Sequence, residues 1–242
     1  MKEVIKYIVL GLVVAAISAY LIGAAVWFTI HTEDPMCEVC SIQLKDSLER
    51  SYVTPDELET MLRNTKLHPV NKPCSQISTQ AIEQCVLAHP MVRTAQCFIT
   101  THGATRVDAT QRIPLLKVEM EGNHYFVDTD RLRMPVRSSI TTPVLPVRGR
   151  VEERMAKGIL WDIVDYIQHK PYWETRFKSV YVAGPNAIEL VDTTNVHILI
   201  GDGQEYIAKL NKLQNFENQM RGREYSYSVL DLRYQNQVIG RK

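Results

Sequence analysis

Residues 8–30, IVLGLVVAAISAYLIGAAVWFTI, carry no charged side chain over about 23 positions. A helix of that length, rising about 1.5 Å per residue, crosses the roughly 30 Å apolar core of a bilayer. The expectation is an uncleaved anchor. Lys2 and Lys6 precede it, and His31, Glu33 and Asp34 follow it, so the positive-inside bias makes residues 1–7 a cytoplasmic tail and puts everything from His31 onward outside. A cleaved signal peptide is the alternative, with Gly23-Ala24-Ala25 as a weak site. Residues 26–30 prolong the apolar run past that point, and Trp27 suits the far interface. Cys37 follows Asp34-Pro35-Met36 in place of the small-residue box of a lipoprotein, which argues against lipidation there.

The remaining chain of about 210 residues is long enough for two small domains with their own cores. With Lys2, Lys6 and Glu3 set aside, its basic and acidic residues balance, which disfavours a nucleic-acid partner. There is no internal repeat and no low-complexity tract, so both domains should be compact. Five cysteines (Cys37, Cys40, Cys74, Cys85 and Cys97) lie in the first half of the external part, and an odd number leaves at least one unpaired. Cys37-Glu38-Val39-Cys40 has the spacing of a thiol oxidoreductase, a motif that works where a helix N-terminus lowers the attacking thiol's pKa. Here Cys40, Ile42 and Leu44 alternate with polar residues as in a half-buried strand, so core or paired structural cysteines are expected.

After that strand, Thr54-Pro55-Asp56-Glu57 opens a helix with Leu58, Met61 and Leu62 inward. A second helix starts at Ser78, stapled by Ile77 and Ile82, and ends at Pro90. Residues 92–99 and 105–111 read as a hairpin across Thr100-Thr101-His102-Gly103, giving the order strand, helix, helix, strand, strand. A second unit begins at Ile113. It opens with strands around Leu116, Val118 and Met120 and over residues 124–128, followed by a Pro-punctuated passage. Val151, Met155, Ile159, Ile163 and Ile167 recur every fourth residue and predict one helix. Residues 179–183, 187–192 and 196–201 predict an antiparallel meander. A helix over 204–220, with Tyr206, Leu210, Leu213 and Phe216 inward, leads to last strands over 226–234 and 237–240.

Chemistry is hard to find. The seven histidines (His31, His68, His89, His102, His124, His169 and His197) have no zinc-site spacing, and Gly201-Asp202-Gly203 lacks the rest of a phosphate cradle. Asp128, Asp130 and Asp165 read as capping or solvated carboxylates, the first two in an exposed turn. No catalytic, cofactor-binding or metal-ligating residue is assigned. The last strand matters for another reason: Lys242 follows it directly, so its outer edge is expected to stay uncovered. An uncovered edge is a liability unless a partner completes the ladder by β-augmentation.

Taken together, the short basic tail and anchor, the strand-helix-helix-strand-strand order, Gln111-Arg112-Ile113-Pro114, Tyr125-Phe126-Val127-Asp128 and the ending Leu230-Asp231-Leu232-Arg233-Tyr234 resemble the FtsQ/DivIB family of bacterial cell-division proteins. The resemblance implies an α+β fold: a tail over 1–7, a transmembrane helix over 8–30, a POTRA domain over 31–112, and over 113–242 a mixed β domain with an antiparallel sheet, flanking helices and a C-terminal edge strand. It implies a non-enzymatic, cofactor-free scaffold of the inner membrane at the division septum, with its C-terminal domains in the periplasm. In this family the last strand takes a strand from FtsB, and the β domain docks FtsB and FtsL. By position, partner binding would fall on Arg233, Tyr234, Gln237, Val238, Ile239 and Gly240, with His197 where the family has a basic contact. Arg241 departs from the aromatic residue of some members, and the cytoplasmic tail is short.

On this reading residues 237–240 act as a template, Tyr234 packs on the incoming strand, and proline at Ile239 should abolish partner binding with the fold intact. Two rivals differ in class: a membrane-tethered thiol oxidoreductase using Cys37 and Cys40, and a POTRA subunit of a protein-translocation machine. The latter normally repeats its POTRA units or continues into a membrane barrel.

Overall fold

The computed structural model describes residues 2–30, 34–45, 51–137, 144–220 and 226–242. His31 and Glu33, used above to orient the anchor, lie outside the described residues. Helix α1 (Lys2–Ile30) is continuous over 29 residues. Its Lys6–Trp27 span has a mean hydropathy of 2.4 and none of that window is buried, which is compatible with a single-pass membrane protein.

The chain forms two compact units. One takes Met1–Lys45, Pro55–Val86 and Ala95–Ala109, the other Asp46–Thr54, Leu87–Thr94 and Thr110–Lys242. In the three-stranded sheet, β1 (Cys40–Leu44) runs parallel to β3 (Thr105–Gln111), which lies between β1 and β2 (Val92–Ile99). The hairpin closes as expected, Thr100 N–H donating to Ala104 O at 2.8 Å and Gly103 N–H to Thr100 O at 3.0 Å. Helix α2 (Pro55–Asn64) buries Leu58 and Leu62, and α3 (Thr79–Leu87) buries Ile82 and Val86. Ser78 caps α3, its Oγ accepting from Ala81 N–H at 3.2 Å.

The larger sheet has nine strands: β4 (Pro114–Met120), β5 (Asn123–Asp128), β6 (Arg133–Pro135), β7 (Leu145–Gly149), β8 (Phe177–Gly184), β9 (Ala187–Asp192), β10 (His197–Gly201), β11 (Val229–Asp231) and β12 (Ile239–Arg241). They lie in the order β12-β11-β10-β9-β8-β7-β4-β5-β6. The meander β8-β9-β10 is antiparallel, as its sequence implies. The steps β4/β7, β7/β8 and β10/β11 are parallel, so the sheet is mixed. Strand β7 occupies the middle of the sheet although it contains Pro146, which sits opposite Lys117. That proline hid the strand in the sequence, because proline normally confines a segment to an edge.

One face of the sheet packs on α4 (Glu153–Lys157), α5 (Ile159–Gln168) and α6 (Tyr206–Met220). The core joins Leu116, Val118, Val147, Val180, Leu190, Ile198 and Leu230 from the strands to Leu160, Ile163, Leu210 and Leu213 from the helices. The helix expected over 151–167 is therefore two. It breaks at Gly158, where a Cβ would stand 2.9 Å from Arg154 O, although the apolar stripe on both sides stays inward. The motifs at 111–114 and 125–128 meet directly: Arg112 Nη1 lies 3.1 Å from Asp128 Oδ2, and Arg112 Nε donates to Val92 O at 3.1 Å. Asp128 is wholly buried, in contrast to the exposed turn expected, and its Oδ1 accepts from Asp130 N–H at 2.9 Å and Leu132 N–H at 2.7 Å.

Candidate functional site: an open sheet margin

Strand β12 stands at one end of the nine-stranded sheet, paired antiparallel with β11 through Val229↔Arg241, Leu230↔Gly240 and Asp231↔Ile239. Among the described residues no strand pairs with its other side. The direction of its peptide groups follows from its neighbours. His197 N–H donates to Ser228 O at 2.9 Å and Leu232 N–H to Leu199 O at 3.0 Å, so the Leu230 peptide groups between them serve β10. Strand alternation turns Val229 and Asp231 toward β12, and Arg241 O accepts from Ser228 N–H at 2.9 Å. Ile239 and Arg241 thus direct their peptide groups inward, and Gly240 directs its N–H and C=O outward. Proline at Ile239 would break the sheet's own ladder, so the expectation that it spares the fold is corrected. The exposed peptide belongs to Gly240.

The side chains alternate likewise. Gly240 sits on the helix-covered face, where a Cβ would come within 2.6 Å of the Tyr227 ring; a side chain at 240 has no room. The Tyr227 ring in turn lies 6.3 Å from that of Phe216 on α6. Ile239 and Arg241 belong to the opposite, helix-free face, with His197 and Asp231.

Asp231 is fully buried there because Arg233 folds over it, Nε to Oδ1 at 2.9 Å and Nη2 to Oδ2 at 2.6 Å. The bonds from Arg233 hold the Asp231 carboxyl below the usual range, and the carboxylate raises the Arg233 pKa in return. His197 is exposed, with Nδ1 3.0 Å from Glu189 Oε2 on the adjacent strand.

The seven residues expected at a partner site thus divide. Arg233 and His197 flank the helix-free face, and Ile239 and Gly240 form the margin. Tyr234, Gln237 and Val238 line a groove of about 710 Å3 against α6. The last strands are shorter than expected, and Tyr234 lies in a turn where Asn236 takes a φ of 59°. Lys212 fastens that turn to α6, its Nζ donating to Leu232 O at 2.9 Å and to Tyr234 O. Burial lowers the Lys212 pKa, and nearby Lys209 adds to the effect. Sequence reasoning missed Lys212 and Tyr227; the four-residue spacing of Lys212 and Phe216 along α6 was the available signal.

The cysteines are all free thiols. Cys37 is buried, its Sγ 3.2 Å from Thr105 Oγ1, and Cys40 lies on β1 away from any helix start. Burial pushes the Cys40 thiol up to about 11 and that of Cys97 up to about 12, the reverse of what attack on a disulfide requires.

A long apolar helix, a β-α-α-β-β module and a mixed sheet with helices on one face make up a POTRA-bearing protein with one N-terminal helix long and apolar enough to cross a membrane, among the described residues. Residues 35–110 match the POTRA-like domain, and residues 113–241 match the domain described as FtsQ/DivIB, C-terminal related. No curated protein matches the chain. The chain belongs to the FtsQ/DivIB family, whose members are in general non-enzymatic scaffolds of the division machinery. The family suggests interaction with other division proteins.

Proposed function

We propose that this chain is a non-enzymatic, single-pass scaffold of the septal division assembly that accepts a strand from an FtsB-like protein along β12. Its N-terminus faces the cytoplasm, and both sheets face the periplasm. The same β domain docks an FtsL-like protein. The single observation that carries the reading is the outward N–H and C=O of Gly240 at a margin no described strand covers. One added strand at about 4.8 Å would meet both groups. Arg233, just past β11, and His197, on β10 two strands in from the margin, share the helix-free face, where they would meet polar groups of partner residues that fold over that face, and Tyr234 would pack from the turn.

The test is co-purification of membrane partners with the full-length chain, with and without residues 239–242. The expected result is loss of the FtsB-like protein from the shortened form alone, which gives up the β11/β12 ladder and unfolds at a lower midpoint but keeps the slow amide exchange of β8, β9 and β10. Retention of that protein by the shortened form would refute strand addition. Cysteine labelling from either side of the membrane at positions 2 and 242 checks the orientation.

A further inference from the structure

The groove beside the margin has an unusual lining. Three amides come from α6 at four-residue spacing, Asn211, Asn215 and Gln219, and three from the turn opposite, Gln235, Asn236 and Gln237. All six are exposed, and among the described residues none of their side chains makes a hydrogen bond. Lys212, in the same lining, is paired with no carboxylate among the described residues, since its Nζ is spent on two carbonyls.

Position gives this lining a meaning. Gly240 faces the helix layer under Tyr227, and Val238, of the same parity, packs on the core and borders the groove. A strand laid outside β12 continues the sheet, and every second side chain of it turns toward the same layer. The groove lies in that layer between α6 and the turn that leads into β12, with Gln237 and Val238, the two residues before β12, on its wall.

Resting on the strand-addition reading, we propose that the amide-lined groove is the helix-side half of the partner site and selects a segment with acidic, hydroxyl or amide side chains at the alternate positions facing α6. An amide offers two donors and one acceptor with two lone pairs, so it pairs with all three kinds of group. An apolar side chain pressed into the groove buries those donors and acceptors unpaired, the penalty by which polar sites reject apolar competitors.

Full-length protein in lipid nanodiscs, used to select from phage-displayed random 12-residue peptides, tests this. Enriched peptides are expected to carry Asp, Ser, Thr or Asn at alternate positions. The triple variant Asn211→Leu, Asn215→Leu, Gln219→Leu, altered only at exposed positions, should bind those peptides at least tenfold more weakly and select apolar residues in their place. Replacing Gly240 by sarcosine through ligation of a synthetic C-terminal segment removes the outward N–H without adding a Cβ, and it should lose every selected peptide. Apolar alternate positions with the parent, or undiminished binding by the triple variant, overturn the groove assignment while strand addition stands. Peptides that survive the sarcosine change, or a library with nothing enriched, overturn both.

Discussion

A carboxylate without exposed surface needs its charge met on the spot, and Arg233 meets that of Asp231 with two side-chain contacts. Removing the guanidinium in Arg233→Ala leaves the acid buried without its cation, and the expected cost is about 1–3 kcal/mol, read as a shift of the urea midpoint. Because the folded-state pKa of Asp231 is depressed, this contribution is fully present above the unfolded value near about 4 and is lost as pH falls through the folded value. The gap between parent and variant should therefore hold constant from about pH 8 to about pH 5 and close only in more acid solution. At Cys40 the raised pKa leaves roughly one thiol in a thousand ionised at about pH 8. Its alkylation by iodoacetamide should run about two orders of magnitude slower than that of an unperturbed cysteine. The positions of these groups were legible in the sequence; their partners were not. Asp231 and Arg233 stand two apart on what reads as a continuous strand, whereas β11 ends at Asp231 and Arg233 lies beyond it.

Among the elements, those with unbroken patterns are found where expected: the strands 92–99 and 105–111, and the helices opened by Thr54-Pro55 and Ser78. The failures have local physical causes. Pro146 disguised a central strand, and β6 is too short, at 3 residues, to show a period. Gly158 preserves a four-residue apolar spacing while splitting the helix beneath it. The expected outcome for Gly158→Ala, despite alanine's higher helix propensity, is destabilisation by about 1–3 kcal/mol from the close approach to Arg154 O. A rise in melting temperature would show the break to be dispensable. The groove was not legible because its two walls, α6 and the turn at 232–238, each read as ordinary surface, and their juxtaposition depends on Lys212.

At the scale of the molecule, Arg112 ties the start of β2 to the end of β5 within one compact unit. Arg112→Ala strips a buried Asp128 of its cation and Val92 O of a donor. Hydrogen exchange should accelerate over residues 87–94 and 125–132, with protection in β8, β9 and β10 unchanged. Equal acceleration throughout would mean global loss of stability instead of a local tie.

The crowding of Gly240 beneath an aromatic ring has a consequence for heredity. A margin whose outward peptide belongs to a residue with no side chain, and no room for one, conveys nothing about its own identity to whatever docks there. On the strand-addition proposal, competing chains would be told apart by the surfaces above and below that margin, and a scaffold built this way would change its preferences by substitutions there while the backbone seam stayed fixed.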